Sequence, residues 1–371
     1  MPEIAVADEL AALDEALDKL PNRPAVFLLW PKQGEPHLGK TTMLRRRLLR
    51  LLRERDQTSR LLNLRHTLHR VEFWLSGSSL ESSMRMYELA RQHFPAKYLE
   101  VLRLRMPPYV KIILTNEFPR SQITTHLGQA PAVYFGPFRT RASAEKFESQ
   151  FLDLFQMRRC QEDLVPSPTH PGCIYGEMGM CLRPCQQVVT VEEYRRESDR
   201  VIDFLRTGGQ SLLESATAAR ERSSEELDFE QAARQHKHIE KIEQVIGLGD
   251  ELARDIDRLH GVAVTKSVEP HSVDLWFVWR GSWQAPQRIG FELIDGKPVS
   301  IDRKLREAVS AFQPAEHNMR ERQEHLAILA RWFYSSWCDG EWFSFDRPEN
   351  IPYRKLVHAI SRVAQTTPGT I

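Results

Sequence analysis

Four of the five cysteines fall within 26 residues, at Cys160, Cys173, Cys181 and Cys185, with the spacing C-x12-C-x7-C-x3-C. Thiolates bind soft metals strongly, and four of them suffice for tetrahedral zinc or for an iron–sulfur cluster. Structural zinc sites usually present two short C-x2-to-4-C knuckles, whereas only Cys181 and Cys185 form such a pair here. The irregular spacing therefore leans toward iron–sulfur, with zinc as the alternative. The segment around them, 160–186, carries Pro166, Pro168, Pro171 and Pro184 and glycines at 172, 176 and 179, with too few aliphatic residues to build a core. Something other than hydrophobic burial must order it, and the thiols are the obvious candidates.

A second group lies near the N-terminus. Gly34 to Thr41 reads GEPHLGKT and fits G-x-x-x-x-G-K-[ST], after an apolar run and before a helical one, where a phosphate-cradling loop belongs. An NTPase also needs a magnesium-holding acid at the end of a second strand, and VKIILTNE offers Asn116 and Glu117 there. Pro36 removes one cradle N–H. Downstream, Arg45, Arg46, Arg47, Arg50, Arg53, Arg55 and Arg60 stand against Glu54 and Asp56. That stripe could neutralise a nucleic-acid backbone or simply face solvent.

These residues need elements to hold them. The chain has 371 residues, with 41% hydrophobic and 27% charged, and exceeds what one core usually organises. Lys plus Arg number 51 against 50 Asp plus Glu, so the net charge of +1 argues neither for nor against nucleic acid. No stretch reaches eighteen uncharged apolar residues, and the opening MPEIAVADEL has no basic start with an apolar run behind it. A cytoplasmic protein without a membrane partner is expected.

The patterning predicts an N-terminal helix within 1–21, then a small α/β unit over 22–118 with strands at 25–30, 70–76 and 110–116 and helices at 40–55 and 79–93. Residues 119–189 hold a strand at 132–138, a helix at 141–156 and the cysteine loop. Helices broken at Gly208–Gly209 and near 227–229 fill 190–248. Strands at 261–266, 273–279 and 288–293 and helices at 302–312, 317–336 and 353–364 make 249–371 a separate α+β unit. The fold class expected is α+β multidomain. In the helical pair at 210–246, Leu227, Phe229, Ala232, Ala233, Ile239, Ile242 and Val245 form an apolar stripe that another helix pair could complete.

AVFLL (25–29), HLGK (37–40) and LRRRL (44–48) together resemble the GIY-YIG nuclease module. YFGPF (134–138), the cysteine run from Arg158 to Cys185, VEEY (191–194) and ELDFEQAARQHKHIEKIEQV (226–245) follow in the order found in the incision component, component C, of excinuclease ABC. The chain thus resembles that repair protein over roughly residues 22–295, without its ribonuclease-H-like and helix-hairpin-helix domains. The resemblance implies a [4Fe-4S] cluster on the four cysteines and a UVR-type hairpin that engages a partner like component B of the same excinuclease. It also implies DNA as the substrate, and Arg45, Arg46, Arg50 and Arg53 of the basic stripe are what a contact to its backbone would need. Lys40 and Arg47 match the module's lysine and arginine, while Phe27 and His37 replace its two tyrosines. The glutamate that holds a divalent metal falls at Met86 or Tyr87, and Glu81 lies roughly 140° around the helix from Met86. Mg2+ is not expected to be held as in the family, so a weak or silent nuclease site is expected, with a non-catalytic adaptor that binds the component-B-like partner as the alternative. The 249–371 unit is expected to pack around Trp332, Phe333, Trp337 and Trp342, with Cys338 as a core thiol.

Overall fold

The computed structural model describes residues 3–6, 15–52, 65, 67–291, 293–294, 297–298 and 300–365 of the chain. It is a mixed α+β structure whose sheets are antiparallel. Among the described residues no helix is long and apolar enough to cross a membrane.

The first sheet has the order β1-β4-β2-β3, from Glu3–Val6, Leu68–Leu75, Ala25–Pro31 and His37–Thr41. Its central strand β2 is apolar throughout because both faces are covered. Ala25, Phe27 and Leu29 pack with Leu44, Leu48 and Leu52 of α1 (Leu44–Leu52). Val26 and Leu28 pack against Leu89 of α2 (Ser79–His93). At the head of α2, the Ser78 hydroxyl accepts the Glu81 N–H at 3.1 Å, and the Glu81 carboxylate accepts from Gly77 N at 2.6 Å.

Two expectations are corrected here. Within the stretch expected as an N-terminal helix, residues 3–6 form a strand on β4 instead, residues 15–18 are helical, and 7–14 lie outside the described residues. Residues 37–41, the second half of the supposed phosphate cradle, are an extended strand laddered to β2, with Val26 opposite Lys40 and Leu29 opposite His37. A cradle needs loop N–H groups turned toward an anion, and here the segment is one arm of a hairpin.

After α3 (Tyr98–Leu102), a second sheet runs β6-β5-β7-β8: Arg120–Thr124, Tyr109–Ile113, Ala132–Gly136 and Arg254–Asp255. The 110–116 strand therefore serves this sheet and not the N-terminal one. Its core draws Phe135, Phe138, Phe147 and Phe151 together with Val201 and Phe204 and, from the hairpin, Ile239, Ile242 and Val245. The helices are α4 (Arg141–Leu152), a single turn α5 (Ile174–Glu177), α6 (Val191–Arg206), α7 (Gln210–Glu225) and α8 (Phe229–Ile246).

The third sheet joins β9 (His260–Lys266), β10 (Ser272–Trp279), β11 (Ser282–Trp283), β12 (Gln287–Gly290) and a strand missed in the sequence, β15 (Gly340–Phe345), which follows a short pair β13 and β14 (Leu293–Ile294, Lys297–Pro298). Val273, Leu275 and Phe277 face α9 (Ile301–Ser310) and α11 (Tyr353–Gln365). Trp276 and Val278 face α10 (Met319–Phe333) in a core that also takes in Leu80, Met84 and Tyr87 of α2. The 249–371 segment thus shares a core with the N-terminal unit instead of standing apart. Glu324 on α10, 2% exposed, accepts the hydroxyls of Tyr87 (2.6 Å) and Tyr98 (2.5 Å). Asp339 accepts from Ser79 N and Ser79 Oγ at the start of α2, and from Trp332 Nε1. Trp332 is buried, but Trp337 is 82% exposed and Cys338 is exposed, so neither belongs to the expected core.

His260 and His325 are buried in this third unit, and desolvation, reinforced by Arg280 for one and His317 for the other, pushes each pKa down to about 4. Both rings are neutral when folded, while in the unfolded chain each binds a proton below about 6.5. Stability is therefore complete above that pH and drains away as pH falls through the window toward 4, by up to a few kcal/mol per ring. The urea midpoint is expected to fall steadily across that interval; a flat midpoint would contradict the burial assigned to these rings.

Candidate functional site

The β2–β3 hairpin and α1 bring three of the four candidate catalytic residues together. Phe27 is buried, and its ring lies 6.5 Å from that of His37. Burial, then the positive charge of Arg47 on α1, holds the His37 pKa below its ordinary value. The Phe27 ring also explains Gly39: a Cβ there would meet it at 2.5 Å.

Lys40 faces the other way. It pairs with Val26, on the α2 side of the sheet, and its Nζ lies 3.3 Å from Ser83 Oγ. There it edges a cavity of about 270 Å³ between α2 and α10, lined also by Met86, Tyr87, Arg331 and Trp332. Desolvation and then Arg331 lower the Lys40 pKa, with Asp339 opposing. Met86 therefore does look into the space that Lys40 borders, but no carboxylate lines that space among the described residues. Glu81 is spent capping α2, with its pKa raised chiefly by burial, and Glu88 pairs with Arg85 at 2.8 Å. Arg331 gives no signal in the sequence, because only the docking of α10 brings it to Lys40.

The cysteine loop is tied down by polar contacts, as its composition requires. Arg158, 1% exposed, donates to Phe118 O, Cys160 O and Glu162 O and to Cys160 Sγ at 3.3 Å. Tyr194 Oη accepts from Arg158 N and donates to Pro119 O. Arg183 N donates to Cys181 Sγ at 3.4 Å. Cys181 and Cys185 are buried, Cys160 is half-buried and Cys173 exposed. Burial pushes the Cys181 thiol up to about 11, and the charges of Cys160, Cys173 and Cys185 push the same way. Cys185 is raised by burial, then by Cys173 and Cys160. Cys181 and Cys185, the two buried thiols, thus each lie near enough to Cys160 and Cys173 to feel their charge. Three sulfurs on one zinc would stand roughly 3.8 Å apart, given Zn–S of about 2.3 Å in a tetrahedron. Among the described residues no three of these do so even within 4.8 Å.

The trio that does lie within 4.8 Å is His317, Glu321 and His325. Its chemistry does not suit a cation. Trp283 N–H donates to His325 Nδ1 at 3.1 Å, so the neutral ring carries its proton on Nε2, and Glu321 is already held by Arg91.

Of the basic stripe, Arg45 and Arg46 are exposed and Arg45 Nη1 donates to Asp18 O; Arg50 is exposed and Arg53 lies outside the described residues. The hairpin stripe splits in two. Ile239, Ile242 and Val245 are buried in the second core, whereas Leu227 and Phe229 at the tip are 71% and 70% exposed, Ala233 is exposed and Ala232 half-buried.

Gly39→Ala is expected to cost about 1–3 kcal/mol through overpacking against Phe27. Adding Phe27→Leu should recover part of that loss in chemical denaturation; strictly additive losses would place the ring elsewhere.

Residues 108–204, the second sheet through α6 with the cysteine loop, match the UvrC/Cho excinuclease middle domain. The chain is 25% identical over 295 residues to UvrABC system protein C of Lachnospira eligens, covering 78% of this chain and 48% of that one. It is 29% identical over 234 residues to the namesake from Moorella thermoacetica (63% and 38%), and 24% over 362 residues to that of Symbiobacterium thermophilum (95% and 56%). It spans about half the length of the curated relatives it matches. No solved structure matches. The protein is UvrC-like in sequence.

Proposed function

We propose that this protein is a DNA-binding, nucleotide-excision-repair-type relative of the excinuclease incision subunit, with a GIY-YIG-derived site that cuts weakly or not at all. The observation that carries the reading is that all four cysteines of the C-x12-C-x7-C-x3-C run lie inside the very segment that matches the excinuclease middle domain. Cys160, Cys173, Cys181 and Cys185 would hold a [4Fe-4S] cluster, with zinc the alternative. The irregular sequence spacing, with only Cys181 and Cys185 forming a short knuckle, favours an iron–sulfur centre over zinc. Such a group supplies cross-linking that orders a loop without an apolar core. Backbone and guanidinium N–H groups already point at two of the sulfurs, as thiolate ligands require.

Weak cutting follows from two placements. The Lys40 cavity offers no carboxylate for a divalent cation among the described residues, and Lys40 lies across the sheet from His37 and Arg47. A phosphodiesterase so built lacks the Lewis acid that offsets charge on the leaving oxygen. The exposed tip around Leu227 and Phe229, flanked by Ala232 and Ala233, suits a second helix pair, such as that of a partner resembling the excinuclease's component B.

Anaerobically purified protein is expected to be brown, with broad absorbance toward the blue that disappears in Cys181→Ser; colourless protein carrying zinc would favour the alternative metal. Incubated at physiological temperature with a damaged fluorescent duplex and Mg2+ or Mn2+, the protein is expected to bind without nicking. Site-dependent nicks lost in Lys40→Ala would overturn the silent-site reading.

A further inference from the structure

The cavity beside Lys40 does not end at Arg331. Arg331 and Ser335 also line a second, larger groove of about 770 Å³. The arginines in its walls come from three separate parts of the chain: Arg103 and Arg105 after α3, Arg139 and Arg141 where β7 leads into α4, and Arg331 at the end of α10. Arg103, Arg105, Arg139, Arg141 and Arg331 are all exposed, and no carboxylate lines the groove among the described residues. Arg139 lies over the Tyr334 ring at 5.4 Å, and the Tyr334 hydroxyl donates to Pro137 O at 3.0 Å, so that wall is held in place. Arg141 has an acid beside it, Glu145 at 2.7 Å one turn along α4 and outside the groove lining.

Five exposed guanidinium groups around one trough, with no carboxylate in its lining among the described residues and with Glu145 and Asp250 standing outside it beside Arg141 and Arg139, leave a positive local potential that attracts a polyanion. A folded chain with net charge +1 has ample acid to place there, and none lines it. The hydroxyl of exposed Thr125 adds a hydrogen-bond donor of the kind a sugar–phosphate strand uses.

We propose that this groove is the principal nucleic-acid track of the protein, carrying the phosphates of one strand from Arg139 past Arg103 and Arg105 to Arg331 and Lys40. The assignment rests on the DNA-binding reading above and moves the main contact away from the α1 arginine stripe. It also gives the C-terminal unit a role, since α10 supplies Arg331 to a wall that the first two units leave open.

The test compares wild type with the triple variant Arg103→Gln/Arg105→Gln/Arg331→Gln and with Arg45→Gln/Arg46→Gln on α1. Binding to a fluorescein-labelled duplex and to its single strand is followed by anisotropy across a salt series. The groove variant should bind at least tenfold more weakly, and its log Kd against log salt should flatten by about 0.9 for each duplex phosphate no longer neutralised, or about 0.7 on single strand. The α1 variant should change little. Because the substituted side chains are exposed, thermal unfolding should match wild type, and a shifted midpoint would be met with the charge-preserving Arg→Lys triple, which should retain the slope. If wild type binds and the groove variant keeps both affinity and slope, the groove assignment fails while DNA binding stands. If wild type binds neither oligonucleotide at low salt, the DNA-binding reading and the groove fall together.

Discussion

Glu324 is the constraint around which the molecule is arranged. A carboxylate so nearly sealed from water is tolerable only when its oxygens are satisfied, and the Tyr87 and Tyr98 hydroxyls do this from the N-terminal side. Arg320 approaches from its own helix at 3.3 Å. Because the donors belong to α2 and the segment after it, the ion can be buried only when the third unit is docked. The surrounding apolar core, from Leu80 to Trp332, then closes over the contact. Docking in turn decides which side chains meet around Lys40, and it turns two surface loops and one helix end into a single trough.

The first sheet contributes a different kind of constraint. Strand residues alternate between faces, so the three-residue step from His37 to Lys40 sends them to opposite sides. His37 looks toward α1 and its arginines, and Lys40 toward α2 and α10. What a linear motif presents as one cluster, the pleat divides into a basic face and a cavity. The middle region is built on other terms, with an aromatic and aliphatic core beneath and polar ties above, and it is there that the likeness to the UvrC/Cho excinuclease middle domain lies.

Much of this is legible in the sequence. The α2 boundaries follow from its Ser78 cap and the aromatic run ahead of it, and the three helices after Thr190 from their apolar spacing and glycine breaks. The crowding of four cysteines into 26 residues and the scarcity of aliphatic residues among them are equally plain. What misleads is local likeness without a partner. GEPHLGKT matches a cradle letter by letter, yet strand pairing with β2 decides its shape. Residues 110–116 read as a strand, but nothing in them names the sheet they join. GEWFSF escapes recognition as a strand because its pairing with β9 is made across a long stretch of intervening chain. Trp337 and Cys338 lie in the turn just before that strand, where composition suggests burial and geometry gives water. Arg331, Arg103 and Arg105 are invisible as a group for the same reason, since only tertiary docking makes them neighbours.

The helical pair at 210–246 is anchored at its foot and bare at its end. Ile242 and Val245 are sunk in the same core as Phe147 and Phe151, and Lys241 Nζ reaches Asp153 O, whose carboxylate grips Arg159 next to Cys160. Such a mast joins its summit to the sulfur-bearing segment through continuous helix and these polar ties. A protein seizing the summit would therefore steer that segment bodily, swinging the whole middle portion as one piece in the manner of a tiller instead of tugging on a tether.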